Sequence, residues 1–282
     1  MTQRIVFACS GSPENCAAIP WLATTFGADI VAMTLDVGQG RELEGVRQAA
    51  LAAGAVRAHV LDVREEFARD CILGSLRQDA AEYPLADALA RPLIARKLIE
   101  IARIEASTAI AHGGDAGDHK AIEAEARAIE PSMRVIAAAG ATSADNGYTV
   151  HTTLWGRSFE RGPRYAGDAL PEEIYSLTTS STRAPDAAAH LEISFESGLP
   201  VAINGVPMTL TELIESVTTI AGNHGVGRVT DDVSGTACEA PAAVVLHAAH
   251  AALGVEATRA LDATVRVELF RGSHRVVSAH HS

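Results

Sequence analysis

The segment Ile5-Val6-Phe7-Ala8-Cys9-Ser10-Gly11-Ser12-Pro13-Glu14-Asn15-Cys16 determines which fold class the chain can adopt. Its apolar, partly β-branched run stops at Gly11, and from Ala17 onward the apolar residues recur at helical spacing. This change of period predicts a strand, a loop and a helix in succession.

The same unit repeats through the first half of the chain. Strand-like runs span residues 5–10, 29–35, 58–63, 107–111 and 134–138, and helical patterns span residues 42–53, 64–76, 88–104 and 121–129. Strands that alternate with helices favour parallel pairing, with helices on both faces of the sheet. The first half is therefore predicted to be an α/β domain with a doubly wound parallel sheet.

The second half follows a different pattern. Between residues 140 and 167 the chain is rich in Gly, Ser, Thr, Asn and Asp, which is typical of loops and short strands. Predicted hairpins at 191–204 and 265–278 accompany predicted helices at 209–220 and 240–253. We predict a smaller α+β domain over residues 146–282, after the α/β domain over residues 1–145.

Composition and charge narrow the possible functions. Hydrophobic residues make up 48% of the chain, yet no apolar run approaches the roughly 20 residues that a membrane-spanning helix needs. The net charge of -12 would repel nucleic acid, and no Lys/Arg run counters it. The first residues resemble no export signal and the four cysteines form no paired motif, so we expect a cytoplasmic protein without a disulfide framework.

Short motifs occur in a fixed order along nearly the whole chain. They include Asp36-Val37-Gly38-Gln39-Gly40, Leu89-Ala90-Arg91-Pro92-Leu93, His112-Gly113, Leu154-Trp155-Gly156-Arg157-Ser158, Pro171-Glu172-Glu173-Ile174-Tyr175 and His224-Gly225-Val226-Gly227-Arg228. Together with the loop at residues 10–16, this series resembles the argininosuccinate synthase family. The resemblance implies an adenine nucleotide alpha hydrolase-like sheet, ATP and Mg as cofactors, and a ligase that forms a carbon–nitrogen bond through an adenylated intermediate.

The resemblance also implies a nucleotide site at the carboxyl ends of the strands. The positions that it assigns to ATP are Ser10, Gly11, Ser12, Glu14, Asn15, Leu35, Arg91, His112 and Gly113. The family loop reads Ser-Gly-Gly-Leu-Asp-Thr-Ser, whereas this chain has Ser12 at the second glycine and Pro13, which has no N–H, at the leucine. We therefore expect weaker binding of pyrophosphate.

The substrate positions also depart from the family pattern. Candidate substrate-binding residues are Tyr83, Asp87, Asp115, His119, Ser158 and Glu239, and candidate catalytic residues are Cys16, His112 and Asp118. The arginine that binds citrulline in the family corresponds to Ala121, and losing a paired contact with a carboxylate costs about 1.5 to 3 kcal/mol. The sequence therefore predicts a small-molecule substrate other than citrulline.

The sequence leaves other functions open. The altered loop also suits a catalytically silent relative that binds a metabolite or a partner protein. Chemistry without ATP, through Cys16, His112 or His119, is a third hypothesis. A thiol at a helix start can become a nucleophile, although a small packing residue is the simpler interpretation of Cys16.

The sequence also leads to expectations about metal binding and about the oligomeric state. The segment from His112 to His119 mixes histidine and aspartate, but its spacing matches no metal signature, and we assign it no metal. The family's C-terminal assembly helix has no counterpart in the sequence, so a homodimer is expected rather than a tetramer.

Overall fold

The computed structural model describes residues 3–40, 43–76, 88–114, 116–138, 148–161, 170–230, 237–254 and 262–281. The α-helices, in chain order, are α1 (Pro13–Cys16), α2 (Ala18–Phe26), α3 (Leu43–Ala52), α4 (Arg64–Phe67), α5 (Leu73–Leu76), α6 (Arg91–Ile104), α7 (Ala116–Ile129), α8 (Leu210–Asn223) and α9 (Pro241–Ala251). The β-strands are β1 (Arg4–Ala8), β2 (Asp29–Asp36), β3 (Arg57–Asp62), β4 (Ala109–His112), β5 (Arg134–Ala137), β6 (Tyr148–Thr153), β7 (Gly156–Arg161), β8 (Ala189–Glu196), β9 (Leu199–Ile203), β10 (Val206–Pro207), β11 (Arg228–Thr230), β12 (Ala237–Glu239), β13 (Ala263–Phe270) and β14 (Ser273–His281). The described residues form two compact units, one from 3–63 and 88–138 and the other from 64–76 and 148–281.

The first unit is built on a five-stranded sheet in the order β3-β2-β1-β4-β5. Every neighbouring pair in it is parallel, from Arg4 opposite Asp29 between β1 and β2 to His112 opposite Ala137 between β4 and β5. The parallel α/β sheet predicted from the sequence is confirmed.

Helices cover both faces of this sheet. Side chains of successive strand residues point to opposite faces, so Ile5 and Phe7 of β1 join the core beneath α2 and α3, while Val6 joins the core beneath α6 and α7. All three side chains are fully buried. Because β1 has no polar face, both faces of the sheet must be covered by helices. This requirement produces the doubly wound arrangement.

The strand order reverses between β1 and β4. From β1 the chain proceeds to β2 and β3 on one side of the sheet, and β4 and β5 lie on the other side. In folds of this kind, ligands bind beyond the carboxyl ends of the strands at the point where the strand order reverses. The candidate site lies at this edge.

The second unit contains two antiparallel sheets. One has the order β10-β9-β8-β13-β14 and the other β11-β12-β7-β6. Helix α8 begins with a capping box, in which Thr209 and Glu212 satisfy each other's backbone N–H groups. The predicted smaller α+β domain is confirmed, and no helix among the described residues is both long and apolar enough to cross a membrane.

One segment of the first half belongs to the second unit. Residues 64–76 form α4, a π-helical turn at Ala68–Ile72 and α5. Their apolar face buries Phe67, Ile72 and Leu76, and α4 and α5 contact α8 and α9 respectively. The sequence assigned this segment to the domain 1–145, because the local pattern of an amphipathic helix does not show which core it joins.

A buried carboxylate fixes the opposite edge of the parallel sheet. Glu105 follows α6, and its side chain is 1% exposed. Arg57 and His59 of β3 lie 2.7 and 2.8 Å from its Oε1, and Arg4 of β1 lies 3.1 Å from its Oε2. Burial alone would raise the pKa of Glu105, but the hydrogen bonds from His59 and Arg57 outweigh burial and hold that pKa below its ordinary value of 4.5.

Replacing this carboxylate is expected to destabilise the first unit in a pH-dependent way. A depressed pKa means that the charged form stabilises the fold above pH 4.5 and that this contribution is lost as the pH falls through the lower, folded-state pKa. Glu105→Gln should therefore lower the free energy of unfolding by about 2 kcal/mol at neutral pH, since its partners are half exposed. Denaturant unfolding of both proteins from neutral pH into the acid range measures the difference.

The matched control is Glu100→Gln, which removes a carboxylate from the exposed pair with Lys97 on α6. This change should alter stability little at any pH, because exposed ion pairs contribute little. A Glu105→Gln effect that persisted undiminished well below pH 4.5 would contradict the assignment of the stabilisation to the ionised carboxylate.

Candidate functional site

The loop between β1 and α1 is closed by its own hydrogen bonds. The Ser10 N–H donates to Oδ1 of Asn15 at 2.9 Å, and the Asn15 N–H donates to Oγ of Ser12 at 3.2 Å. The Cys16 N–H donates to the Ser12 carbonyl at 2.9 Å. The hydroxyls of Ser10 and Ser12 lie 3.4 Å apart on the more exposed side. The loop thus offers two hydroxyls, while several of its N–H groups are already paired.

Gly11 allows this loop to turn. Its φ of +78° lies in the left-handed region that side-chain-bearing residues rarely adopt. A Cβ at this position would also overlap the side chain of Val46 on α3. The close approach of loop and helix therefore requires glycine.

A pair of histidines lies at the end of β4, where His112 is the last residue of the strand and His119 belongs to α7. The Gly114 N–H donates to Nδ1 of His112 at 3.2 Å, so this nitrogen is the acceptor of the ring. The hydrogen then resides on Nε2, which donates to Nδ1 of His119 at 3.1 Å. The rings are stacked with centroids 5.3 Å apart. His112 is 2% exposed, whereas His119 is only half-buried, so the pair extends from the buried sheet edge toward solvent.

The two loops meet at Gly113. A Cβ on this residue would overlap the side-chain amide of Asn15, so the end of β4 lies directly against the loop after β1. A Cβ on Gly114 would overlap the carboxylate of Asp118 in the same way. Asn15, Gly113, Gly114 and Asp118 therefore form one continuous surface.

An ion pair extends this surface. Nε of Arg91, the first residue of α6, lies 2.6 Å from Oδ1 of Asp118, with the two side chains 30% and 28% exposed. Asp118 lies in the first turn of α7, where a negative charge is favourable. In the sequence, Ser10 lies 81 residues or more from both Arg91 and His112. A short series of contacts nevertheless links these three residues in the structure.

The turn after β2 borders the same edge. Gln39 bridges it, because its Nε2 donates to the Leu35 carbonyl at 2.7 Å and its Oε1 accepts from the Val37 N–H at 2.8 Å. Oδ1 of Asp36 accepts from the Gly38 N–H at 2.9 Å. Leu35 itself packs partly against the core beneath α6. These hydrogen bonds hold the turn in one conformation, and the apolar side chain of Leu35 lies at its start.

Cys16 lies in the core. It is 7% exposed, belongs to the cluster beneath α2 and α3, and its sulfur lies 3.8 Å from that of Cys9. A bulky substrate cannot reach a sulfur that is this deeply buried, so the burial favours the packing interpretation of Cys16 over the catalytic one. Its catalytic role stays a prediction.

Two predicted substrate residues are buried in the second unit. Ser158 of β7 is 2% exposed and pairs in register with Cys238 and His151. Glu239 is fully buried and accepts five hydrogen bonds, from Arg157, from the N–H groups of Ser176, Leu177 and Thr178, and from the Thr178 hydroxyl. The surroundings of Glu239 indicate that it holds the segment 176–178 in place, a role the sequence did not suggest.

Some predicted positions lie outside the described residues. They are Tyr83, Asp87, Asp115 and the side chain of Glu14. Their assignments stay predictions. Among the residues that the structure describes, no group of three or more His, Cys, Asp or Glu is arranged to hold a metal ion.

The second unit contains a charged cavity that was not expected from the sequence. It has a volume of about 560 Å³ and is lined by Glu172, Glu173, Tyr175, Ser180, Thr182 and Arg183. Arg228 donates two hydrogen bonds of 2.8 Å to Glu172 and stacks on the Tyr175 ring at 3.9 Å. The motif at residues 171–175 marked this region in the sequence, but the stacking arginine comes from a distant motif.

Comparison with known proteins identifies two family domains. Residues 4–150 match the family described as arginosuccinate synthase N-terminal HUP domain, and residues 148–259 match the arginosuccinate synthase C-terminal domain. Together the two matches span most of the chain.

Individual relatives agree with this result. Argininosuccinate synthases of Streptococcus thermophilus (strain ATCC BAA-491 / LMD-9) and Streptococcus suis (strain 05ZYH33) are 38% and 36% identical, with 88% of this chain and 70% of each relative covered. A solved NAD+ synthetase from Burkholderia Pseudomallei matches 46% of this chain and 66% of its own at 19% identity, with a TM-score of 0.29. That structural likeness is too weak to support an argument.

The role of Glu239 can be tested by substitution. Glu239→Gln places an amide NH2 against backbone N–H donors and removes the carboxylate that pairs with Arg157, so the free energy of unfolding should fall by about 3 kcal/mol. Glu196→Gln, at an exposed position of β8, is the control and should leave stability unchanged within about 0.5 kcal/mol. If Glu239→Gln were as stable as the control, a substrate-binding role would regain support.

Proposed function

Since the chain belongs to the argininosuccinate synthase family of ATP-dependent carbon–nitrogen ligases, we propose that it joins an amine to a small-molecule acceptor through an adenylated intermediate. The observation that carries the proposal is the contact between the loop after β1 and the end of β4 at the reversal of strand order. Nucleotides bind at this position in doubly wound sheets.

The residues at this edge fit a phosphate group. Gly11 and Gly113 leave room for the side chains of Val46 and Asn15, so the loop after β1 packs closely against α3 and against the end of β4. The hydroxyls of Ser10 and Ser12 are donors, and Arg91 contributes positive charge to the connected surface. ATP, when bound, supplies the adenylyl group that activates the acceptor oxygen.

The loop must rearrange its hydrogen bonds to hold a nucleotide. The Ser10 N–H is paired with Asn15 and the Asn15 N–H with Ser12. An anion that replaced the Asn15 oxygen would receive the Ser10 N–H in its place, and the Asn15 amide would turn its NH2 toward the phosphate. The exchange conserves hydrogen bonds, which makes binding feasible but weaker than binding to a loop with free donors.

Magnesium ions accompany ATP in the proposed reaction. Mg²⁺ is usually bound through one or two carboxylates together with substrate phosphates and water, so it needs no cluster of protein ligands. This fits a site whose described residues include no such cluster.

The acceptor is proposed to differ from citrulline. Ala121 stands on α7 where the resemblance places an arginine that binds the citrulline carboxylate, and the nearby Arg91 is paired with Asp118. A substrate that lacks a carboxylate at that point suits this surface better, because an unpaired carboxylate would lose a charge-assisted hydrogen bond.

The proposal is tested by binding and turnover together. ATP-Mg should raise the melting temperature, since a ligand that binds only the folded state stabilises it. AMP and pyrophosphate should appear when aspartate and other amines are supplied with a panel of ureido, amide and carboxylate acceptors, with citrulline as one member. Arg91→Ala should reduce both responses, whereas Arg103→Ala, near the other end of α6, should not.

Each outcome that contradicts the proposal has a distinct meaning. No thermal response to ATP-Mg and no AMP with any pair would overturn the ligase proposal and leave a catalytically silent relative. Fast turnover with citrulline would overturn only the substrate assignment.

Restoring one donor to the loop is expected to strengthen ATP binding. Pro13 is the first residue of α1 and has no N–H, so Pro13→Ala adds a backbone donor at the start of this helix, next to Ser12. A net hydrogen bond of about 0.5 to 1.5 kcal/mol corresponds to roughly twofold to tenfold tighter binding. Pro20→Ala on α2, at an exposed proline outside the loop, is the control and should bind as the unaltered chain does. Isothermal titration with ATP-Mg measures the ratio.

A further inference from the structure

Two free thiols bracket the loop after β1. Cys9 follows β1 and Cys16 ends α1, and their sulfurs are 3.8 Å apart. The two residues are 3% and 7% exposed and lie in the same apolar cluster. Every loop residue assigned to phosphate binding, from Ser10 to Asn15, therefore lies within the span that a bond between these sulfurs would close.

The backbone holds both cysteines in place. The Cys9 N–H donates to the Met33 carbonyl at 2.8 Å, and the Cys9 carbonyl accepts from the Thr34 hydroxyl at 2.8 Å. The Cys16 N–H is fixed by the Ser12 carbonyl. A disulfide requires a sulfur separation near about 2.05 Å, so rotation of the side chains must supply the approach while the strand stays anchored.

The two thiols differ in reactivity. Burial raises the pKa of Cys9 to about 12, although the Gly11 N–H partly opposes this effect. Cys9 is therefore a protonated, poorly reactive thiol. Cys16 is the more exposed of the two and meets a small oxidant first.

We propose that Cys9 and Cys16 are a redox site that closes into a reversible disulfide on exposure to a hydroperoxide. The Cys16 sulfur attacks the peroxide oxygen, the O–O bond breaks, and a sulfenic acid and one water result. The Cys9 sulfur then displaces the hydroxyl from Cys16, and the Cys9 proton leaves with that hydroxyl as a second water. In sum, two thiols and one hydrogen peroxide give one disulfide and two waters, and a dithiol reverses the change by exchange.

The disulfide would restrict the loop. In the reduced loop the Ser10 N–H can leave Asn15 and turn toward a ligand. A bond across the base of the loop pulls the end of α1 toward the end of β1 and holds the intervening residues in their self-paired arrangement. Oxidation is therefore expected to weaken ATP binding, and this consequence, unlike the disulfide itself, rests on the proposed function.

The test for the bond needs no ligand. The full chain is treated with hydrogen peroxide, remaining thiols are alkylated after denaturation, and the protein is digested with trypsin. Cleavage after Arg4 and Arg41 yields a peptide that contains Cys9 and Cys16 but neither Cys71 nor Cys238. We expect this peptide to lose two hydrogens and to resist alkylation until a dithiol is added.

Variants separate this result from general oxidation. Cys9→Ser and Cys16→Ser should each abolish the lighter peptide, whereas a Cys71→Ser, Cys238→Ser double variant should keep it. A peptide that stays fully alkylated, or in which Cys16 proceeds to sulfinic acid with Cys9 still free, would overturn the proposal. Cys16→Ser also shows whether the packed pair is needed for folding, through its melting temperature.

ATP binding supplies the second readout. Reduced protein should bind ATP-Mg at least about tenfold more tightly than oxidised protein, and Cys9→Ser should bind equally well before and after peroxide. Equal binding by reduced and oxidised protein would overturn control of the loop. If neither form binds ATP while the disulfide forms, the proposed function fails and the redox site stands.

Discussion

The burial of both faces of β1 is the constraint on which the first unit depends. Ile5, Val6 and Phe7 are fully buried, and alternate residues enter the two separate cores. A strand with no polar face can only lie in the interior of a sheet covered by helices. Its position fixes β4 as its neighbour, and this pairing brings the loop after β1 against the end of β4.

The sequence predicted this part of the fold well because strand and helix periods are local properties. The first and last residues of the five parallel strands lie within about two residues of those expected from the sequence. Helix α7 begins five residues before its expected start at Ala121, since its first turn, with Asp118, is polar and lacks the apolar spacing that was used. Residues 64–76 show a second limit of the sequence-based prediction, because periodicity identifies the apolar face of a helix but not the core against which that face packs.

The site shows the same division between local and non-local information. Loop positions such as Ser10 and His112 could be found from motifs, and the register of the parallel sheet places them at one edge. The burial of Cys16 and Glu239 could not be found, since a thiol or a carboxylate in a motif looks the same whether it faces a ligand or the protein interior. Five donors converge on Glu239 from four residues far away in sequence, with Arg157 the most distant at 82 positions.

The membership of residues 64–76 in the second unit affects how the protein can be divided. The chain leaves the first unit after Val63 and enters it again at Ala88, so the boundary cannot be described by one cut. A fragment that stops near residue 145 would carry an orphaned amphipathic segment, with Phe67 and Ile72 exposed to water and prone to self-association. Independent production of the first unit would instead require a deletion of that segment with a short linker across the gap.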